Sequence, residues 1–287
     1  MKQAVRRPPR DRRPPGELLG LALRAAGLAA REILEVYAGH FEVDSKEDRT
    51  PITEADRRAH RAIAKVLQDG SPYPLLSEEG PEAPYAERRG WRRFWLVDPL
   101  DGTKEFVKRN GEFTVNIALI QRGRPVLGVI YAPASGLLYF AARGAGAHKA
   151  EGLSPGPAVE EALASARDLP RRPSTFPGRI PSRPRQAKLT IMASRSHSNP
   201  QWLRYLEQLR QVYAEVEVLT LGSALKSCLV AEGRADLYLR FGTTMEWDTA
   251  AAQAVLEAVG RRLRVFPGRR ALRYNKESLV NPAFLAC

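Results

Sequence analysis

The 287-residue sequence predicts an α/β layered fold built from two unlike halves. Apolar residues recur at three- and four-residue steps near the N-terminus, which predicts an amphipathic helix. Apolar, β-rich runs follow one another between residues 94 and 140, as in neighbouring strands. After residue 187, strand-like and helix-like segments alternate, which is typical of an α/β layer. The predicted parts are a disordered basic arm (1–15), an N-terminal α+β metal-binding half (16–150), a Pro/Arg-rich insertion or linker (151–186) and a C-terminal α/β half (187–287).

The first half opens with two predicted helices. The first covers residues 16–36, where the apolar repeat is continuous. The second runs from Asp56 to Leu67, with Thr53 as its N-cap, and the Asp-Gly-Ser-Pro run at 69–72 ends it.

Short apolar runs bounded by turn residues predict the strands of this half. The Arg-Gly-Arg-Pro run at 122–125 separates two of them and indicates a hairpin. The run at 94–97 is predicted to end on Asp98. The predicted strands are 75–76, 94–97, 113–120, 126–131 and 137–140.

Residues 151–186 break all periodicity, and a long stretch of this kind inside a compact fold indicates an insertion or linker. Beyond it, the pattern alternates again. The predicted strands are 189–192, 216–219 and 237–239, and the predicted helices lie around 202–209, 223–232 and 248–259.

The net charge of +13 is concentrated in two Pro-rich segments. Residues 1–15 carry +5 and residues 167–188 carry +6, so the remaining body is close to neutral. Solvated tails without function are one interpretation. The other is weak attraction to RNA, or to anionic lipid on the cytoplasmic face of the inner membrane. We expect no stable nucleic-acid partner.

Composition and motifs exclude several classes of protein. The two cysteines form no CxxC pair, which argues against a disulfide framework or a cysteine zinc site and favours a reducing cytosol. No apolar run approaches the ~18–20 residues that a membrane span needs, and the N-terminus is unlike a signal peptide. We therefore expect a cytoplasmic protein. A GxxxxGK[ST] motif, which would imply NTP hydrolysis, is absent.

The strongest chemical signal is the run Asp-Pro-Leu-Asp-Gly-Thr at 98–103, placed where an apolar strand ends. Pro99 fixes one φ angle, and Gly102 permits a tight turn and the approach of a phosphate. Asp98, Asp101 and the Leu100 carbonyl then share a small volume. Two such carboxylates repel each other, and a hard divalent cation such as Mg²⁺ removes the conflict. The alternative is a turn with two capping aspartates.

Three further acidic features favour the metal interpretation. Glu78 and Glu79 follow another predicted strand as an adjacent pair. Asp248 stands at the head of a predicted helix, where an isolated aspartate is more often an N-cap. Asp56 also lies near a helix start.

These motifs resemble the inositol monophosphatase superfamily, and within it the bacterial 3′(2′),5′-bisphosphate nucleotidases of the CysQ type. The acidic pair, the Asp-Pro-Leu-Asp-Gly-Thr run and the Trp-Asp-Thr-Ala-Ala run occur in that order. The segments at 53–56, 194–197 and 222–226 match as well, and the resemblance extends from about residue 17 to the C-terminus except for 151–186. Ala252 and Arg261 stand where this family usually carries glycine.

The resemblance implies a fold of α-β-α-β-α layers, as in the inositol and sugar phosphatases, and a role for each matched residue. It implies two to three Mg²⁺ ions. The implied metal ligands are Glu78, Asp98, Asp101, Asp248 and the Leu100 carbonyl. Glu79 is implied to lie behind these ligands without binding metal itself. Asp56 and Thr103 are implied to orient and activate the attacking water. The implied substrate contacts are Gly102, Thr103, His197, Ser223, Lys226, Arg240 and Asp248.

The resemblance further implies a lithium-sensitive phosphomonoesterase of sulfur metabolism. Its substrate would be adenosine 3′,5′-bisphosphate, hydrolysed to AMP, and also the 5′-phosphosulfate analogue. An inositol or sugar phosphatase of the same fold is the alternative, but Lys104, Lys226 and Arg240 favour a substrate with a second phosphate. A basic RNA-binding or scaffold protein is the alternative of another class, and it leaves the acid cluster unexplained. The oligomeric state stays open.

Overall fold

The computed structural model describes residues 13–45, 51–156, 166–169, 185–195 and 200–287. Two sheets and a small hairpin organise this part of the chain. The helices are α1 (Pro15–Ala38), α2 (Glu54–Gly70), α3 (Tyr85–Arg88), α4 (Thr103–Val107), α5 (Pro200–Arg210), α6 (Leu225–Glu232) and α7 (Glu246–Ala258). The strands are β1 (Val43–Ser45), β2 (Pro51–Thr53), β3 (Leu75–Ser77), β4 (Arg93–Asp101), β5 (Thr114–Gln121), β6 (Arg124–Ala132), β7 (Leu137–Ala142), β8 (Gly146–Ala150), β9 (Arg167–Asp168), β10 (Arg185–Ser194), β11 (Tyr213–Leu221), β12 (Leu237–Arg240), β13 (Leu263–Val265) and β14 (Phe284–Ala286).

The larger sheet has seven strands in sequence order, from β3 to β9. Its neighbours are antiparallel except for β3 and β4, which run parallel. The smaller sheet has the order β11-β10-β12-β14-β13. There β10 runs parallel to both of its neighbours, and β14 is antiparallel to β12 and β13. The large sheet is thus assembled from local hairpins, whereas the small one joins distant segments.

The layers follow from which faces are apolar. On one face of the large sheet, α1 and α2 pack against each other and bury a common core. On its other face, α6 and α7 fill the space between the two sheets. The outer face of the small sheet packs against α5. The resulting order is helix, sheet, helix, sheet, helix, which confirms the predicted α/β layered fold.

Helix α7 approaches the large sheet closely at Gly128 of β6. A Cβ atom at Gly128 would lie 2.4 Å from the carbonyl oxygen of Ala251 and 2.9 Å from the Cβ of Ala254. Ala250 and Ala252 are also buried on this helix. Small residues on both sides therefore bring the helix backbone next to the strand.

Most predicted elements are present, with shifts at their ends. The strand predicted to end on Asp98 continues to Asp101, with an irregularity in its pairing between these two residues. The helix predicted to begin at residue 223 begins at Leu225, because Ser223 has a left-handed φ of 45°. Elements that we did not predict are β1, β2, α3, α4, β8, β9, β13 and β14.

The two basic segments lie largely outside the described residues. At the end of the arm, Arg13 donates a hydrogen bond to the carbonyl of Gly70 at 3.0 Å. Within the 151–186 segment, β9 pairs with β8 through Arg167 and Asp168. None of the described helices combines the length and the apolar composition that a bilayer span requires.

Candidate active site

A cleft of about 230 Å³ opens where strands of both sheets end and three helices begin. The ends of β4, β10 and β12 contribute Asp101, Ser194 and Arg240 to its lining. The turn before α6 and the first turn of α7 contribute Ser223 and Asp248. The cleft therefore joins residues from both predicted halves of the chain.

Three of the predicted metal ligands form one compact group. Glu78, Asp98 and Asp248 each offer a carboxylate oxygen, and these three atoms lie within 4.8 Å of one another. Glu78 follows β3, and its N–H donates to the carbonyl of Val97 at 3.1 Å. Because β3 runs parallel to β4, both strands deliver their acids to the same edge of the sheet. Asp248 comes from the other side, where its carboxylate accepts the N–H of Met245 at 2.9 Å.

The fourth predicted carboxylate, Asp101, lies beside this group and has its own partners. Asn116 of the neighbouring strand donates to Asp101 at 3.2 Å. Burial raises the pKa of Asp101 to about 6, and the positive charge of Lys226 and the Asn116 hydrogen bond oppose that rise. The Leu100 carbonyl, also a predicted ligand, lines the cleft and accepts from the hydroxyl of Thr103 at 3.4 Å.

The electrostatics of this group fit a divalent cation. Burial raises the pKa of Asp98 well above its usual value, and repulsion from Glu78, Asp101 and Asp248 adds to the rise. Burial also raises the pKa of Asp248, followed by repulsion from Asp101 and Glu78. Converging anionic oxygens of this kind are the ligands that Mg²⁺ prefers, and a bound cation removes their repulsion.

Asp56 and Thr103, for which the resemblance implies a role in activating water, contact each other next to the acidic group. One oxygen of Asp56 accepts the N–H of Thr53 at 2.8 Å and its hydroxyl at 2.7 Å, which makes Asp56 part of the α2 capping box. The other oxygen faces the hydroxyl of Thr103 at 3.3 Å. Gly102 precedes Thr103 with a φ of 96°, and this left-handed conformation favours glycine.

Ser223 and Arg240 also line the cleft. The Ser223 hydroxyl and the Arg240 Nε are both buried and have no hydrogen-bond partner among the described residues. Buried polar atoms are usually satisfied, so these two are available to a ligand.

Lys226 lines the cleft, and its predicted contact with substrate stays a prediction. Its buried Nζ donates to the carbonyls of Ser223 at 2.6 Å and Leu221 at 3.3 Å. Burial lowers the pKa of Lys226 to about 8, although the nearby Asp101 carboxylate opposes the change. The ammonium therefore holds the turn before α6 and interacts electrostatically with Asp101.

Glu79 is half-buried beside Glu78 and is not among the residues that line the cleft, and its predicted supporting role stays a prediction. The predicted substrate contact His197 lies outside the described residues.

Sequence reasoning missed three polar residues around the site. Asn116 holds Asp101, and the one signal for it was a polar residue inside an otherwise apolar strand. Glu105 is buried and lines the cleft. Glu112 accepts a hydrogen bond from the backbone N–H of Gly222. This contact joins the two halves of the chain, and no local sequence pattern predicts it.

Comparisons with known proteins agree with this geometry. The chain matches the inositol monophosphatase family over residues 16–283. It is 42% identical over 270 residues to the 3′(2′),5′-bisphosphate nucleotidase CysQ of Escherichia coli K12, covering 93% of this chain and 98% of that protein. It is 42% identical over 259 residues to CysQ of Salmonella typhimurium, covering 89% and 94% of the two chains.

Solved structures give the same result. The crystal structure of CysQ from Bacteroides thetaiotaomicron matches with a TM-score of 0.81 and 42% identity, covering 94% of this chain and 96% of that one. The suhB protein of Bartonella henselae matches with a TM-score of 0.69 at 24% identity, covering 94% and 93%, and supports the fold alone.

Proposed function

Because the chain belongs to the inositol monophosphatase family, we propose that it is a Mg²⁺-dependent phosphatase that removes the 3′-phosphate from adenosine 3′,5′-bisphosphate. The relatives that are 42% identical bear the name 3′(2′),5′-bisphosphate nucleotidase, which points to this substrate class. The 5′-phosphosulfate analogue, which carries the same 3′-phosphate, is a second substrate under the same proposal.

One observation carries the proposal. The cleft has an anionic end, formed by Glu78, Asp98 and Asp248, and its lining also includes Ser223 and Arg240, whose Oγ and Nε have no hydrogen-bond partner among the described residues. A phosphate that is hydrolysed needs the cations of the first end. A second phosphate on the same molecule needs donors some distance away, and an Arg guanidinium suits a phosphate.

The acidic end is where Mg²⁺ would be held. We assign Glu78, Asp98, Asp101, Asp248 and the Leu100 carbonyl as its ligands, with two to three ions in total. Bound there, Mg²⁺ would neutralise the phosphate charge and activate water. Inhibition by Li⁺ belongs to the same proposal.

Thr103 and Asp56 would orient the attacking water. A hydroxyl has one proton to donate and two lone pairs that accept. When Thr103 donates its proton to Asp56, its lone pairs are left to accept a hydrogen bond from the water. Asp56 is itself held rigidly by the capping box, so the direction of that hydrogen bond is fixed.

A substrate panel tests the proposal. Phosphate release would be measured from adenosine 3′,5′-bisphosphate, its 5′-phosphosulfate analogue, AMP and inositol 1-phosphate, each with Mg²⁺ and with EDTA. We expect the bisphosphate to have the highest kcat/KM and EDTA to abolish turnover. Faster hydrolysis of inositol 1-phosphate would reject the substrate assignment, and turnover in EDTA would reject the metal.

The cellular location and partners follow the same proposal. A small nucleotide bisphosphate is the partner that the cleft and the relatives support. Cytoplasmic location stays a prediction from the sequence.

A further inference from the structure

Glu112, which does not line the cleft, joins the metal side of the site to its nucleotide side. It stands in the loop between α4 and β5. One carboxylate oxygen accepts the N–H of Gly222 at 2.7 Å and the Nε of Arg195 at 2.8 Å. The other oxygen accepts a second guanidinium nitrogen of Arg195 at 2.6 Å. One side chain thus contacts the turn before α6 and the end of β10.

The turn that Glu112 holds has little freedom of its own. A Cβ atom at Gly222 would lie 2.6 Å from the Glu105 Cγ and 2.6 Å from the Glu112 carbonyl oxygen. On the other side, Lys226 donates to the carbonyls of Leu221 and Ser223. The turn is therefore fixed through its N–H by Glu112 and through its carbonyls by Lys226.

Ser223 has a strained backbone within this turn. Its φ of 45° is one that residues other than glycine rarely adopt. Such a conformation persists where the surroundings hold it in place. Ser223 lines the cleft with a hydroxyl that has no partner among the described residues, and the position of that hydroxyl depends on this conformation.

The two partners of Glu112 differ in their surroundings. Gly222 is buried, whereas the Arg195 side chain is 43% exposed. Exposed ion pairs contribute little, but a buried N–H that loses a charged acceptor is costly. The hydrogen bond to Gly222 is therefore the contact that matters.

We propose that Glu112 is a positioning residue that sets the affinity for the nucleotide by fixing Gly222 and Ser223, without taking part in the metal chemistry. The proposal rests on the proposed function for the identity of the substrate. The fixing of the turn itself can be tested without any substrate.

The first experiment measures hydrogen–deuterium exchange of the free enzyme in peptides that cover residues 219–226. We expect Glu112→Ala to speed exchange of the Gly222 amide by about tenfold or more. Glu112→Gln keeps an amide oxygen as acceptor and should restore most of the protection. Unchanged exchange in Glu112→Ala would overturn the proposal, whatever the substrate of the enzyme is.

The second experiment measures kcat, KM and the Mg²⁺ concentration for half-maximal activity with adenosine 3′,5′-bisphosphate. For Glu112→Ala we expect KM to rise about tenfold, with kcat and the Mg²⁺ requirement changed by less than about threefold. Glu112→Gln should recover most of the loss in KM. Arg195→Ala should change KM by less than about threefold.

Glu215→Ala is the matched control, because it removes an exposed ion pair with Lys188 near the start of the strand that leads to Gly222. A fall in kcat with unchanged KM, or an equal loss in Arg195→Ala, would overturn the assigned role. If the wild-type enzyme does not hydrolyse the bisphosphate, the proposed function fails, and the exchange experiment still decides whether Glu112 fixes the turn.

Discussion

The Asp98 carboxylate is buried and interacts with four other carboxylates. Replacing it by Asn removes a charged ligand from the proposed Mg²⁺ site and also removes part of the repulsion in the metal-free protein. We expect Asp98→Asn to lose kcat/KM by at least about 100-fold. In EDTA, its Tm should equal or exceed that of the wild type.

Thermal melts with and without Mg²⁺ complete the test of Asp98. A ligand that binds the native state stabilises it, so Mg²⁺ should raise the Tm of the wild type more than that of Asp98→Asn. Asp69→Asn, which removes an exposed ion pair with Lys65, is the control and should behave as the wild type. An active Asp98→Asn variant would contradict the metal assignment.

His60 supports the loop that carries Glu78. Its Nδ1 lies 2.9 Å from the Ser77 hydroxyl, and its ring is close to Gly80. Burial, followed by the charge of Arg61, lowers the pKa of His60 below 6.5. The native state therefore favours neutral His60. The contribution of neutral His60 to the free energy of unfolding is present above about pH 6.5 and is lost as the pH falls through the lowered pKa.

We expect His60→Gln to flatten the pH dependence of the free energy of unfolding below about pH 6.5. Urea unfolding of both proteins between pH 5 and 8 measures this pH dependence. Parallel pH curves for the wild type and the variant would contradict the assigned pKa direction.

The acids of the site were predictable because each lies near the end of a strand or the head of a helix, where side chains converge on a sheet edge. Asn116 and Glu112 were not. Glu112 contacts a residue 110 positions away, and only the packing of the two halves creates that contact. Lys226 was predicted at the cleft but not its backbone partners, because these depend on the left-handed turn at Ser223.

At the scale of elements, the long amphipathic helices and the central hairpins could be predicted from periodicity alone. The strands β13 and β14 could not be predicted in this way, because each has only three residues. They enter the small sheet where β14 pairs with β12, which is distant in sequence. Helix α4 has five residues and begins at the Gly102 turn, so no periodic pattern could reveal it.

The contact between β6 and α7 gives a prediction about a whole element. Gly128→Ala places a methyl group against the backbone of Ala251, and overpacking of this kind typically costs about 1–3 kcal/mol. We expect that loss in the free energy of unfolding, and also a lower kcat, because α7 carries Asp248.

Urea unfolding and steady-state kinetics measure both effects. Gly16→Ala is the control, since a methyl group at this position in the first turn of α1 would have no atom within 4 Å. If Gly128→Ala and the wild type had equal free energies of unfolding, α7 would be able to shift away from β6 without loss of stability, and the prediction would be wrong.

Strand β12 ends at Arg240, which lines the cleft and is a proposed substrate contact. We expect Arg240→Ala to raise KM for adenosine 3′,5′-bisphosphate about tenfold, because a charged hydrogen bond to the second phosphate is lost. The KM for a substrate with a single phosphate should change little. Arg264→Ala, on a strand of the same sheet and away from the cleft, is the control. Equal losses on both substrates would reject a contact with the second phosphate.

At the scale of the whole molecule, residues 1–12 carry a net charge of +4 and lie outside the described residues. The body keeps Arg13 in place through Gly70 and Arg93. We therefore expect a chain that lacks residues 1–12 but retains Arg13 to keep kcat within about twofold of the full chain, since the cleft lining among the described residues comes from the layered body. Steady-state kinetics of both chains at low and high salt measure this, and a large fall in kcat would place the arm at the site.

The position of α7 between the sheets has a consequence for synthesis on the ribosome. The strands β4 to β7 are complete by residue 142, but the helix that covers their second apolar face ends at residue 258. At a translation rate of ~5–20 residues per second, that face remains uncovered for on the order of ten seconds until α7 has been synthesised. A ribosome that stalls in this interval leaves a sheet with one apolar face in water. Nascent-chain chaperones should therefore bind this protein while residues 143–258 are being translated.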